Sequence, residues 1–346
     1  MSSIANVPPP LGTNQGSREA AARAANRSDR AFIWVIQAVA LFTMVVIAAV
    51  AIYVFKEGWP AFQANGLSWF TAGDMPLDEQ LGLAFTGDPV TGAPVTALHA
   101  WAAIAGTILT TGGALLLAFP ISLLTAIFMA ELAPKRVAAI MGPIITMLAA
   151  TPSVVFGLFA ILVIGPWITN NVVPESVSNE LAIVVPVGGA SVLLAVITLT
   201  VMIAPLMTAI FTDALRAVPT KWKEGAIALG CDPWRMSRRV SISAIRPALV
   251  AGTSLAVGRA VGEAIAVSMA GGGIAFVPNP LDGVWSLFEP VRPLAATIVD
   301  YSEGFSSATL RANLFSIGVV LFITTAALTI GAKIASASAE KRLGGS

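Results

Sequence analysis

Lys223-Glu224-Gly225-Ala226-Ile227-Ala228-Leu229-Gly230 lies at the centre of a basic stretch, Arg216 to Arg246, wedged between two long apolar runs. So polar an element, set in so apolar a chain, predicts a docking surface on one face of a membrane. Pro219 disfavours helix at Val218, and Thr220 is positioned to cap a new helix that continues through good helix formers to Leu229. Gly230 permits a left-handed stop. Asp232-Pro233 then restarts a helix, with Asp232 as the capping acceptor and Pro233 at the first helical position, where its missing N–H costs nothing. Two short helices with a sharp bend follow. Gly225, Ala226 and Ala228 on the first are small enough for another backbone to approach closely.

Outward from this element the chain reads as membrane. Hydrophobic residues make up 56% and charged residues 11% of the 346, and the mean hydropathy is +0.82, beyond what a soluble domain carries. Apolar runs long enough for the roughly 20 residues a bilayer needs occur near Ala31–Phe55, Trp101–Ala130, Val137–Ile168, Leu181–Phe211, Pro247–Gly273 and Leu314–Ile334. The expectation is an all-α polytopic protein with six transmembrane helices. Pro120, Pro143, Pro152, Pro186 and Pro205 inside these runs predict kinked or tilted spans.

Charge sets the orientation. With a cytoplasmic N-terminus, sixteen of the twenty Lys and Arg residues fall inside, Lys56, Arg292 and Arg311 fall outside, and Arg259 lies within a span. Both termini and the 214–246 loop are therefore expected in the cytoplasm. Trp34 on the inner side and Trp59, Trp101 and Trp167 near the outer side fit interfacial anchors. Residues 1–30 are Pro-, Gly-, Ser- and Arg-containing and lack a core, so they read as a cytoplasmic tail ahead of a transmembrane domain at 31–346. The first span is about 25 residues long without a small-residue cleavage site, which argues for a retained anchor rather than a signal peptide.

Catalytic chemistry finds little to work with. Cys231 is the one cysteine and His99 the one histidine, so neither a disulfide framework nor a histidine metal cluster can be built, and His99 reads as an interfacial polar group. No phosphate-binding loop of the GxxxxGK[ST] type is present, so ATP hydrolysis is not expected on this chain, nor any cofactor or metal of its own. An intramembrane hydrolase lacks a nucleophile, base and metal set. Nothing points to nucleic acid.

A second stretch, Gly258-Arg259-Ala260-Val261-Gly262-Glu263, sits deep in the fifth span. In one continuous helix Arg259 and Glu263, four residues apart, share a face and can meet. Two central charges cost roughly 5 to 7 kcal/mol on the translocon scale, whereas the surrounding Leu, Ile and Val return only about 2 to 4. That helix must face protein or water. The row Ser254, Gly258, Gly262, Ala266 and Ala270 predicts close packing against another helix. One reading of Arg259 is an ion pair that locks the bundle. The other is transient contact with a crossing anion, with Glu263 orienting the guanidinium, whose planar fork suits phosphate oxygens. Thr151 and Ser153, beside Pro152, either bond carbonyls freed by a kink or touch substrate.

Here the chain resembles a known family. Glu224-Gly225-Ala226, three residues, then Gly230 is similar to the EAA loop of binding-protein-dependent ABC importer permeases, and the run Gly258 to Val267 resembles the GRALGET signature of the PstC-type subunit of the phosphate importer. Ala150 to Gly157 resembles that family's PSVVYG motif, and Asp213 to Pro219 the approach to its loop. Gly225 replaces an alanine, and Ile242-Ser243 stands where a Leu-Pro pair usually closes the loop, with Arg246-Pro247 following. The resemblance implies a type I ABC importer permease (MetI-like) architecture in a bacterial cell membrane and a phosphate pathway involving Arg259 and Glu263. It also implies docking of a separate ATPase dimer, which binds ATP and Mg, through Glu224, Gly225, Ala226 and Gly230. A second homologous permease and an extracytoplasmic phosphate-binding protein complete the set. The acidic outer loops, which do not attract free anions, fit delivery by such a protein. The rival reading is a self-sufficient secondary transporter coupled through protonation of Glu263; no second copy of the GRAVGE element supplies the internal repeat such folds usually carry.

Overall fold

The computed structural model describes residues 15–87, 95–173, 189–278 and 280–343. Its chain divides into two compact units, Met1–Tyr53 and Val54–Ser346. In the first, the described residues are the start of one helix, α1 (Gln15–Asn65), which begins inside the stretch expected to be a tail and runs on without a break. Everything else belongs to the second unit.

There, a 3₁₀ turn at Gly66–Phe70 and α2 (Leu77–Thr86) lie between α1 and the second span. The second span is α3 (Trp101–Ile127), whose last turn widens to π geometry over Phe128–Leu132. After α4 (Lys135–Ala150) come α5 (Ser153–Phe159), a π turn at Ala160–Ile164 and α6 (Gly165–Asn171), which together make one span. The most enclosed span is α7 (Val192–Ala217). The polar element holds α8 (Thr220–Ala228), α9 (Pro233–Met236), a π turn at Ser237–Ser241 and α10 (Ile242–Ala244). α11 (Arg246–Gly262) and α12 (Ile265–Gly271) follow, then a 3₁₀ segment at Pro280–Phe288, α13 (Leu294–Asp300), a second at Ser302–Ser306, and α14 (Ala308–Leu343). Apart from one isolated bridge between Gly272 and Val291, the described residues contain no β pairing.

Among the described residues five helices are long and apolar enough to cross a membrane, or six when the bent pair Pro233–Ala244 and Arg246–Gly262 counts as one span. The all-α, multi-span expectation holds, while several boundaries move. The third run does not begin at Val137: the backbone is extended at Thr151 and Pro152, so α4 is a separate helix and the span starts at Ser153. Pro120, Pro143 and Pro205 lie within continuous helices, so Pro152 is where proline ends one. Residues 181–188 of the expected fourth run, Pro186 among them, lie outside the described residues. The fifth run is broken after Gly262.

The core is built where small residues on one helix meet large ones on the next. Ala114, Ala118 and Ala126 of α3 pack with Leu199, Met202, Ile203, Met207 and Phe211 of α7, and Ala256 and Ala260 of α11 join them. A Cβ on Gly113 would stand 2.8 Å from Val196 Cγ2, and one on Gly157 3.0 Å from Ala266 Cα, so α3 and α7, and α5 and α12, approach at backbone distance. Because lipid is as apolar as these side chains, such close contact, rather than water exclusion, is what holds membrane helices together. A second cluster, Trp69, Leu77, Leu81, Leu98, Leu294, Leu310 and Leu314, packs the first 3₁₀ turn, α2 and α13 against α14.

Candidate functional site

The helix carrying Arg259 stops three residues later. Gly262 is the last residue of α11, Glu263 is extended (φ −73°, ψ 115°), and α12 resumes at Ile265. The break removes the common face on which the two charges were expected to meet. They do not pair: Glu263 Oε1 instead accepts from the Ala266 N–H at 3.3 Å, at the start of α12, where free amides and the helix dipole favour a carboxylate. Arg259 turns elsewhere, donating from Nη1 to the Ala149 carbonyl at 3.3 Å. That carbonyl belongs to the last turn of α4, where orphan acceptors attract a cation.

Thr151 arrives at the same helix end. Its hydroxyl donates to the Met147 carbonyl at 2.9 Å, the role expected of a hydroxyl beside a proline break. Ser153, half-buried, opens α5. The structure thus gathers Arg259, Thr151 and Ser153 around the junction of α4 and α5, and leaves Glu263 on the adjoining break.

The row of small residues also divides there. Ala266 and Ala270 are fully enclosed, as expected, with Gly157 against Ala266. Gly258 and Gly262, by contrast, have nothing within 4 Å of where a Cβ would stand. At these two positions the expected close packing is not made within this chain. A half-buried guanidinium, lacking a carboxylate partner among the described residues, therefore sits on a helix whose neighbouring glycines leave room beside it.

On the polar element, Gly230 has φ +83° and ends α8, while Asp232 accepts from the Arg235 N–H at 2.8 Å with Pro233 at the first helical position. Thr220 does not cap: it is the first helical residue, and Pro219 before it offers no side-chain acceptor. Ala226 is buried within the element rather than exposed, whereas Glu224, Gly225 and Gly230 are exposed. Gly225 has no neighbour that a methyl group would strike, which accounts for its exchange with alanine. The exit is a 73° bend at Ile245, with Pro247 in the first turn of α11, so the proline that usually closes such a loop is replaced by one just beyond the bend. Sequence reasoning missed the apolar dress of this knob: Leu229 is 88% exposed, and Trp222, Ile227 and Trp234 are exposed with it.

The described residues also hold a charge cluster that no motif announces. Arg292 lies between two carboxylates, its Nη1 hydrogen-bonded to Asp78 Oδ1 and its Nε 3.0 Å from Asp300 Oδ2 as a charge contact. Asp78 Oδ2 accepts from the Ala275 N–H at 3.0 Å, and Asp300 Oδ1 accepts from Ser268 Oγ at 2.5 Å. The guanidinium also stands 5.2 Å from the Tyr301 ring centre. Burial, with Asp78 nearby, pushes the Tyr301 phenol above its ordinary value, and Arg292 opposes the shift. The sequence offers Arg292 only as one of three bases expected on the outer side; its contact with Asp78, 214 positions away, completes the cluster. His99 stays a polar group, its Nδ1 3.3 Å from Thr71 Oγ1.

The described residues hold no cluster of His, Cys, Asp and Glu able to bind a metal.

A family described as "Binding-protein-dependent transport system inner membrane component" matches residues 122–343, from within α3 to the end of α14. Among curated proteins, the phosphate transport system permease protein PstC of Mesorhizobium japonicum is 30% identical over 319 residues, covering 90% of each chain. Phosphate transport system permease protein PstC 1 of Mycobacterium tuberculosis is 32% identical over 294 residues, covering 80% of this chain and 83% of that one. PstC of Xylella fastidiosa (strain Temecula1) is 30% identical over 319 residues, covering 89% and 90%. With its broken, Arg-bearing helix and its bent polar knob inside the matched region, this chain belongs to the binding-protein-dependent inner membrane transport components, and among them to the PstC-type permeases.

Proposed function

We propose that this protein is one of two permease subunits of an ATP-driven phosphate importer in a bacterial cell membrane, with both termini and the 214–246 knob in the cytoplasm. The observation that carries the reading is Arg259: a guanidinium in a membrane span, held by one carbonyl rather than neutralised by Glu263, beside the open positions of Gly258 and Gly262. A carboxylate-locked arginine would have little left for a passing anion. One resting on a carbonyl keeps its charge and most of its donors. Glu263, bonded to the α12 amide, fixes the break and places a negative charge nearby that limits how tightly an oxyanion is retained.

The open glycine face is read as the wall completed by a second, homologous permease. The knob is read as the ATPase contact: Glu224, Gly225 and Gly230 are exposed, Ala226 supports them from beneath, and Leu229, Trp222, Ile227 and Trp234 supply apolar anchors for a groove. ATP and Mg would be bound by that ATPase dimer, and phosphate delivered by an extracytoplasmic binding protein.

The test is phosphate uptake by proteoliposomes containing the full complex. Arg259→Gln is expected to assemble and to lose uptake, with Arg259→Lys intermediate because a point charge replaces the fork. Full uptake by Arg259→Gln would overturn the role of Arg259. Uptake by the chain alone, driven by a proton gradient without ATPase, would replace the reading with the secondary-transporter one.

A further inference from the structure

Glu131 lies in the π turn that ends α3, and its side chain is only 2% exposed. No motif singles it out, yet it is the meeting point of the polar knob with the rest of the chain. Lys223 Nζ, from α8, stands 3.2 Å from Glu131 Oε1, and Ser237 Oγ, from beyond the Gly230 bend, hydrogen-bonds Glu131 Oε2. Lys223 Nζ also donates to the Leu215 carbonyl at 2.9 Å, in the last turn of α7. Ser237 is fully buried and the Lys223 side chain 17% exposed. One carboxylate at the end of the second span is thus gripped by both arms of the knob, and one of those arms also holds the end of α7.

Connectivity explains why this matters. The knob is covalently joined to α7 through Val218-Pro219 and to α11 through Ile245, so a force on it reaches those two helices directly. It reaches α3 only through packing and through Glu131. α3 packs along α7 through the core of the molecule and, at Gly106, meets Val291 beside the Arg292 cluster. Stability gives little reason to choose charge here, because well-packed apolar residues commonly replace a buried ion pair without loss. The joint is a charge contact on the Lys223 side and a hydrogen bond on the Ser237 side, so a single carboxylate ties the end of α3 to both arms, which apolar packing would not do.

We propose that Glu131 is a positioning residue for energy coupling, the joint through which motion of the cytoplasmic knob is passed to α3. The inference rests on the knob being the ATPase contact. It belongs to the transport cycle rather than to phosphate binding, so it should appear in the ratio of transport to ATP hydrolysis and not in substrate affinity.

The experiment uses the complete importer in proteoliposomes, with phosphate uptake and ATP hydrolysis measured together. Glu131→Gln keeps an acceptor for Ser237 but loses attraction for Lys223. The pair Glu131→Met with Lys223→Met replaces the joint by apolar packing, so folding is retained even if the single variant is unstable. Both are expected to co-purify the ATPase and to keep the apparent phosphate affinity, while phosphate moved per ATP hydrolysed falls about fivefold or more. A normal ratio in the double variant would overturn the joint, as would loss of ATPase co-purification in it, since Glu131 would then serve docking. Absence of ATP-driven uptake or of ATPase co-purification in the unmodified protein would instead count against the parent reading.

Discussion

Replacing Arg292 by methionine should loosen the segments around it locally. The guanidinium, 10% exposed, faces Asp78 and Asp300, whose side chains are 28% and 22% exposed. Methionine keeps much of the aliphatic volume but leaves two carboxylates facing each other. Breaking a buried pair by removing one partner costs about 3–5 kcal/mol. The lower end applies, because both aspartates touch solvent and each keeps a hydrogen bond, from Ala275 N–H and from Ser268 Oγ. With about 1.4 kcal/mol per factor of ten, a loss of about 3 kcal/mol corresponds to roughly a hundredfold faster local opening. Hydrogen exchange followed by mass spectrometry reads this in peptides spanning 272–278 and 291–297, where the Ala275 amide is held by Asp78 and the Leu294 amide by Thr107 Oγ1. Core peptides of α7 should not change. Adding Asp78→Asn and Asp300→Asn to Arg292→Met removes the stranded charges and should recover most of the protection. Unchanged exchange in Arg292→Met, or no recovery in the triple variant, would refute the reasoning.

Gly230→Ala places a side chain at φ +83° and should cost about 1–2 kcal/mol; increased proteolytic nicking at 229–232 with unchanged membrane insertion checks it. Asp232→Ala removes the cap on the Arg235 amide and should cost about 1 kcal/mol; equal nicking of wild type and variant would contradict that. Gly157→Val drives a side chain into Ala266, whose Cα is 3.0 Å from the position of a Cβ, and should cost about 1–3 kcal/mol or more in folded yield, read by size-exclusion recovery from detergent. Tyr301 has a raised pKa in the folded protein, so its neutral phenol contributes stability fully below the ordinary value of about 10, and that contribution is lost as pH rises through the raised one. Titration of phenolate absorbance in a Tyr53→Phe background should therefore show Tyr301 ionising late and leave the Arg292 cluster insensitive to this group at neutral pH; ionisation at or below the ordinary value would reject the assignment.

The parts of the molecule readable from sequence were those governed by local rules. Gly230 and Asp232-Pro233 act within one turn of themselves, so their conformations follow from residue chemistry alone. Membrane spans follow from runs of apolar residues, which is why their number was legible and their ends were not: apolar side chains continue across the extended residues at Thr151-Pro152 without a change in composition. Glu263 shows the harder case. Helical spacing puts it on the Arg259 face, but that inference assumes an unbroken helix, and no proline or turn dipeptide marks the break between Gly262 and Ile265. The Arg292 cluster and the Glu131 joint were out of reach for a different reason. Asp78 is distant in the chain from Arg292, as Lys223 and Ser237 are from Glu131, and periodicity carries no information about which charge will meet which.

The interruption at Glu263 divides the fifth span into two levers with separate attachments. One, α11, is continuous through Ile245 with the polar knob; the other, α12, is tied through Ser268 to Asp300 and so to Arg292. An uninterrupted rod would have to tip as a whole. A jointed one lets its two halves turn separately, with Arg259 within one turn of the break.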